Sequence, residues 1–231
     1  MANIKHVFFD LDGTLWDFEA NSKATLEELF SEFDLAEKLG VEDSKFIHEY
    51  KRINEIFWTD YRNGVIKKEE LRYARFEAAL KYFGHDDCKM ASEIGELYIS
   101  RSPRKTGLVS GSIEILDYLR ANYELHIITN GFEEVQHIKM ESSGLAKYFE
   151  HVITSERAGA KKPSRIIYDF SENLTGAEPS NSIMIGDHYE ADVYGALQAG
   201  WKAVLYEPNE ERKSDVNYLH IHHLKELKEI L

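Results

Sequence analysis

Cysteine is all but missing from this chain: Cys88 is the only one in 231 residues. A lone thiol excludes an internal disulfide, and such sparing use points to a reducing compartment. Positive charge is also short, with 28 Lys and Arg against 41 Asp and Glu, a net charge of -13. So acidic a chain lacks the basic face that polymeric nucleic acid or an anionic membrane demands, although a small anion needs only a local positive spot. No apolar run approaches the ~20 residues of a membrane span. After Lys5 and His6, only Val7, Phe8 and Phe9 precede Asp10, too short an apolar stretch for a secretion signal. Repeats and low-complexity linkers are missing too. The expectation is a soluble cytoplasmic protein, able to bury one large domain or two smaller ones.

What is present begins at once. The apolar run from Ile4 to Phe9 stops on Asp10-Leu11-Asp12-Gly13-Thr14, two carboxylates one residue apart and then a glycine. In a parallel α/β sheet, ligands bind at the carboxyl ends of the strands, so this run places two acids at the expected site. Further strand signals occur at Leu125–Ile128, His151–Thr154, Ser182–Ile185 and Lys202–Tyr206, several ending in polar or small residues: Thr129-Asn130-Gly131 after one, Gly186-Asp187 after another. Short β-branched runs without strict alternation read as strands covered on both faces. Helical segments at Ser112–Ala121, Glu133–Ser143, Ser164–Leu174 and Ala191–Gln198 separate them. The alternation predicts an α/β doubly wound, Rossmann-like parallel sheet.

One connection is too long for a crossover helix. Residues 16–105 hold no convincing strand and carry apolar stripes at helical spacing. These are Leu26, Leu29, Phe30 and Phe33; then Phe46, Ile47, Tyr50, Ile53, Phe57 and Tyr61; then Leu71, Ala74, Ala78 and Phe83; and last Met90, Ile94, Leu97 and Tyr98. The stretch is expected to be an inserted helical domain over the strand ends, leaving residues 1–15 and 106–231 as the core. Arg101, Arg104 and Lys105 read as a charged hinge.

The strand ends would gather Asp10, Asp12, Thr129, Asn130, Asp187 and, five residues on, Asp192. Lys161-Lys162-Pro163 comes after the third strand, and a proline suits the first turn of a helix, which would set Lys162 at a positive helix end. Carboxylates cannot converge without a cation, and an all-oxygen cluster suits Mg2+ beside a phosphate. Lysine, hydroxyl and magnesium together describe a phosphoryl site. The run His220-Ile221-His222-His223 reads as a last strand with its histidines toward solvent rather than as a metal tract. Gly107–Ser112 lacks the lysine of a nucleotide-triphosphate cradle.

Asp10-Leu11-Asp12-Gly13-Thr14, Thr129, Lys162 and Gly186-Asp187-His188-Tyr189-Glu190-Ala191-Asp192 resemble, in identity, order and spacing, the four motifs of the haloacid dehalogenase (HAD) superfamily. The helical insertion is similar to that superfamily's C1 cap. The resemblance implies that Asp10 is the nucleophile forming an aspartyl-phosphate, and that Asp12 protonates the leaving oxygen and then deprotonates water. It implies that Asp10, the Asp12 carbonyl and Asp187 hold Mg2+, that Thr129, Asn130 and Lys162 bind phosphate, and that Asp192 orients metal-bound water or Lys162. An acid at position 12 favours phosphoryl transfer over dehalogenation, since a halide leaves without a proton.

The stretch Asn54–Gly64, with Leu71-Arg72 and Arg75-Phe76 beyond it, is aromatic and basic, which suits a stacking nucleobase. Together with Ile128-Thr129-Asn130-Gly131-Phe132 it is similar to the YjjG-type pyrimidine 5'-nucleotidases. That implies a nucleoside monophosphate as substrate, with Trp58, Tyr61, Arg62 and Arg75 as substrate-contacting candidates, in a monomer or weak homodimer. A sugar-phosphate or phosphoglycolate phosphatase, a β-phosphoglucomutase-like mutase and a non-catalytic domain remain open.

Overall fold

The computed structural model describes residues 3–208 and 217–231. In chain order the elements are strand β1 (His6–Phe9) and helices α1 (Phe18–Glu32), α2 (Leu35–Leu39), α3 (Asp43–Arg62), α4 (Lys68–Tyr82), α5 (Cys88–Arg101) and α6 (Ser112–Leu119). Then come β2 (Glu124–Thr129), α7 (Glu133–Ser142), β3 (His151–Thr154), α8 (Ser155–Ala158) and α9 (Arg165–Thr175). β4 (Ser182–Gly186), α10 (Gly195–Gln198), β5 (Lys202–Tyr206), β6 (Leu219–Ile221) and α11 (Leu227–Ile230) complete the chain. Among the described residues, no helix is long and apolar enough to cross a membrane.

The six strands form one parallel sheet in the order β3-β2-β1-β4-β5-β6. Its strands feed two cores by turns, which explains why the sequence shows continuous apolar runs. Val7, Phe9, Leu125, Ile127, Ile183, Ile185 and Val204 face one side with Ile115, Leu116 and Met140 from α6 and α7. Phe8, Ile128, Met184, Ala203 and Leu205 face the other with Ile167 and Tyr168 from α9. The chain leaves β1 toward β2 on one side and reaches β4 on the other. The crevice at that switch lies past Phe9, whose partners are Ile127 and Ile185.

The chain divides into two compact units, Met1–Phe18 with Thr106–Leu231, and Glu19–Lys105. The second is all-helical and has its own core of Leu26, Leu29, Phe30, Phe46, Tyr50, Phe76, Leu80, Ile94 and Tyr98. Its four apolar stripes fall on α1, α3, α4 and α5, with Phe33 and Phe83 just past the ends of α1 and α4. Arg101 and Lys105 pair within this unit with Glu32 and Glu28.

Three local expectations need correction. α9 starts at Arg165 with Ser164 as its N-cap, so Pro163 precedes the helix instead of opening it. The expected helix at Ala191 begins instead as a π-helical turn over Tyr189–Tyr194 and becomes α-helical only at Gly195. His220 is buried on β6 with Nε2 3.1 Å from Glu207, and Leu219 is the residue that faces outward. On this edge strand Ile221 enters the core from one face, His220 lies on the other face beside Glu207, and Leu219 is exposed where the strand begins.

Candidate active site

Asp10 sits one residue past β1, between the ends of β2 and β4, and is largely buried. The next turn is tight. Gly13 has φ +84°, and a Cβ there would lie 2.3 Å from Asp187 Oδ2, so only glycine lets the loop approach that carboxylate. Thr14 Oγ1 donates to Asp187 Oδ1 at 2.9 Å, tying the first motif to the last. Gly186 ends β4 for a like reason, because the Asp192 carboxylate occupies the space of its missing side chain. Asp192 Oδ2 accepts from the His188 amide at 3.1 Å, which bends the π-helical turn back over the strand end.

Lys162 joins these acids. Its Nζ donates to Asp10 Oδ1 at 2.6 Å, to Asp192 Oδ1 at 2.6 Å and to the Ile128 carbonyl at 2.7 Å, filling all three ammonium donors. The side chain is 2% exposed. Burial alone would lower its pKa, but the Asp10 and Asp192 carboxylates outweigh burial and raise it. Burial pushes Asp10 well above the usual carboxylate range; Lys162 pulls it back, while Asp192 and Asp187 push it further up. Asp187 is pushed up to about 7, by burial first and Asp192 second.

Oxygens of Asp10, Asp187 and Asp192 all lie within 4.8 Å of one another. Three carboxylates face one ammonium there, and burial first, then their mutual repulsion, raises Asp10 and Asp187. An all-oxygen donor set with net negative charge fits a hard divalent cation.

Asp12 is held from α7. Gln136 Nε2 donates to Asp12 Oδ2 at 2.9 Å and to Thr129 Oγ1 at 2.7 Å, while Lys139 Nζ donates to Asp12 Oδ1 at 2.6 Å. Thr129 is buried at the end of β2, and its Oγ1 also accepts from the Gly131 amide at 3.1 Å. Asn130 turns its side chain the other way. Nδ2 donates to the Lys162 carbonyl at 3.0 Å, and Oδ1 accepts from the Lys162 amide at 2.8 Å. Both polar ends therefore brace the main chain that carries the lysine.

Sequence reasoning missed Thr14, Gln136 and Lys139. A signal for the last two was there: polar residues three apart occupy the inward face of a helix just after Thr129-Asn130-Gly131.

The candidates in the helical unit separate into two pairs. Tyr61 and Arg75 are buried. Arg75 donates to Asn54 Oδ1 at 2.7 Å and lies 5.1 Å and 5.2 Å from the ring centroids of Phe76 and Tyr98, so it serves the packing of the bundle. Trp58 and Arg62 are half-buried; the Trp58 ring stands edge-on to Tyr61, and Arg62 pairs with Glu55.

A model of the haloacid dehalogenase-like hydrolase family matches residues 4–200. The chain is similar to the pyrimidine 5'-nucleotidase YjjG of Escherichia coli (strain K12), at 31% identity over 195 residues, 84% of this chain and 82% of that protein. It is 31% identical over 207 residues to the pyrimidine 5'-nucleotidase PynA of Streptococcus pneumoniae (strain ATCC BAA-255 / R6), covering 89% of this chain and 84% of that one. Among solved structures, the HAD-hydrolase YfnB from Bacillus subtilis, bound to magnesium, matches with a TM-score of 0.88 at 25% identity, over 99% of this chain and 98% of that chain.

Proposed function

From its place among the haloacid dehalogenase-like hydrolases, the family to which this chain belongs, we propose that it is a magnesium-dependent pyrimidine nucleoside 5'-monophosphatase working through an aspartyl-phosphate. That it is a phosphoric monoester hydrolase follows from its family and its nucleotidase relatives. The observation that carries the mechanism is Lys162 bonded at once to Asp10 and Asp192 beside Asp187.

Asp10 attacks phosphorus through a carboxylate oxygen. The bond from phosphorus to the leaving oxygen breaks, and that oxygen takes a proton from Asp12. Asp12, now a carboxylate, accepts a proton from water as the water attacks the phosphorus of the aspartyl-phosphate, which frees Asp10 and inorganic phosphate. Thr129 Oγ1 and Lys162 Nζ stabilise charge on the phosphoryl oxygens, and Asp192 keeps Lys162 aimed at Asp10. Asp10, the Asp12 main-chain carbonyl and Asp187 would hold Mg2+. The ion supplies the positive charge that lets carboxylates and a phosphate share one crevice.

The pyrimidine preference is supported by the two nucleotidase relatives and by the aromatic and basic stretch from Asn54 to Gly64. Residues 16–105 are assigned as the cap that selects the leaving group. Trp58 and Arg62, the half-buried pair, are the first to substitute. The test is phosphate release from a panel of pyrimidine and purine monophosphates, sugar phosphates and phosphoglycolate, with and without Mg2+. The expected result is a preference for dUMP, dTMP or UMP. A clear preference for sugar phosphates would sink the substrate assignment and leave the reaction standing, whereas isomerisation without phosphate release would indicate a mutase.

A further inference from the structure

We propose that Gln136 and Lys139 are positioning residues that hold the Asp12 carboxyl in line for proton transfer to and from the reacting oxygens. The proposal rests on the phosphatase reading above and adds to it how the proton donor is kept in place.

Each oxygen of Asp12 has its own donor, Gln136 on Oδ2 and Lys139 on Oδ1. When one oxygen carries the proton, the other keeps its partner, so the carboxyl plane is fixed in both half-reactions. The two donors sit three residues apart on one face of α7. Neither is an ordinary surface group: Gln136 is fully buried and Lys139 is 6% exposed. The Lys139 ammonium lies 4.5 Å from the ring centroid of Trp16, itself fully buried. Trp16 closes the loop that carries Asp12, its carbonyl accepting from the Gly13 amide at 3.0 Å. The loop that carries the acid thus also supplies the aromatic face under the lysine that holds it. One amide nitrogen of Gln136 reaches both Asp12 and Thr129 Oγ1, which sets the proton donor in register with the hydroxyl assigned to the phosphoryl group.

A buried ion pair adds little net stability, because desolvation offsets its attraction. Positioning gives this pair a function: a proton donor displaced by a fraction of an ångström loses much of its rate advantage. The loss must depend on the leaving group. A sugar 5'-oxygen needs its proton as the bond to phosphorus breaks, whereas p-nitrophenolate departs without one.

The test compares kcat/KM for a nucleoside 5'-monophosphate and for p-nitrophenyl phosphate. This parameter reports the steps through departure of the leaving group, so hydrolysis of the aspartyl-phosphate does not enter it. In Lys139→Met the nucleotide-to-aryl ratio of kcat/KM is expected to fall about tenfold, part of the 10²–10⁴ that general acid catalysis supplies. Lys139→Arg should recover most of that ratio. Asp12→Asn should show the same selective loss, and adding Lys139→Met to it should lower the ratio no further, because the lysine acts through the acid. Gln136→Met, with its thermal midpoint monitored alongside, gives a second reading should Lys139→Met fold poorly. Equal losses for both esters, or additive losses in the double variant, would overturn the positioning role while leaving the phosphatase reading intact. Failure of the unsubstituted enzyme to hydrolyse either ester would overturn both.

Discussion

At both ends of the parallel sheet burial works against charge, but only one end sets an opposite charge against it. At the carboxyl end, burial and mutual repulsion push Asp10 and Asp187 up, and Lys162 answers them with a charge held at 2.6 Å. Toward the amino end, His6, His126 and His151 line neighbouring strands with ring centroids 5.5 Å apart. There burial drives His126 down to about 3, with His6 and His151 adding to the effect, and the side chain stays neutral. The carboxyl end holds a buried ammonium, Lys162, against its acids, whereas His126 at the other end gives its charge up. Perturbed acids with an opposed lysine in a crevice mark the functional end, whereas the stack centred on a neutral His126 marks structure.

Removing the answering charge is the strongest way to break this contrast. Lys162→Met leaves the acid cluster unopposed, and kcat should fall by about 10²–10³, the usual worth of one preorganised electrostatic group. Steady-state phosphate release measures it, with circular dichroism to check the fold. Chelation comes next: excess EDTA should abolish most turnover and added Mg2+ restore it, with full activity after EDTA contradicting the cation assignment. Gly13→Ala puts a methyl group into the Asp187 carboxylate, so the Mg2+ concentration for half-maximal activity should rise about tenfold, as for other residues that set a metal ligand's orientation.

The smallest effect belongs to the histidine end. His126 is neutral in the fold, but in the unfolded chain it takes a proton below about 6.5, so native stability should drop as pH falls from about 6.5 toward 3. His126→Phe should flatten that acid-side loss of thermal midpoint, by roughly 2–4 °C for each kcal/mol involved. An unchanged pH profile would mean that His126 titrates alike in both states.

The core of the site was legible because parallel sheets put function at strand ends. Asp10, Asp12, Thr129 and Asp187 stand at or just beyond the ends of apolar runs, and Lys162 and Asp192 lie a few residues on. The parallel sheet itself was legible for a related reason, since strands feeding two cores cannot alternate with polar residues. The features that stayed hidden depend on side-chain direction. Lys139 looks like any helical lysine until its neighbours Trp16 and Asp12 are known. Asn130 sits in the right motif, but its amide turns to the Lys162 main chain. Arg75 has the chemistry of a ligand site but packs against Asn54, Phe76 and Tyr98 of the bundle, and composition does not separate the two.

The central claim is that Asp10 is the nucleophile, and its most direct test is Asp10→Asn. An amide cannot form the aspartyl-phosphate, so phosphate release from a nucleoside monophosphate with saturating Mg2+ should fall to background while the far-ultraviolet dichroism stays that of the unsubstituted protein. Substantial turnover by a folded Asp10→Asn enzyme would contradict the account.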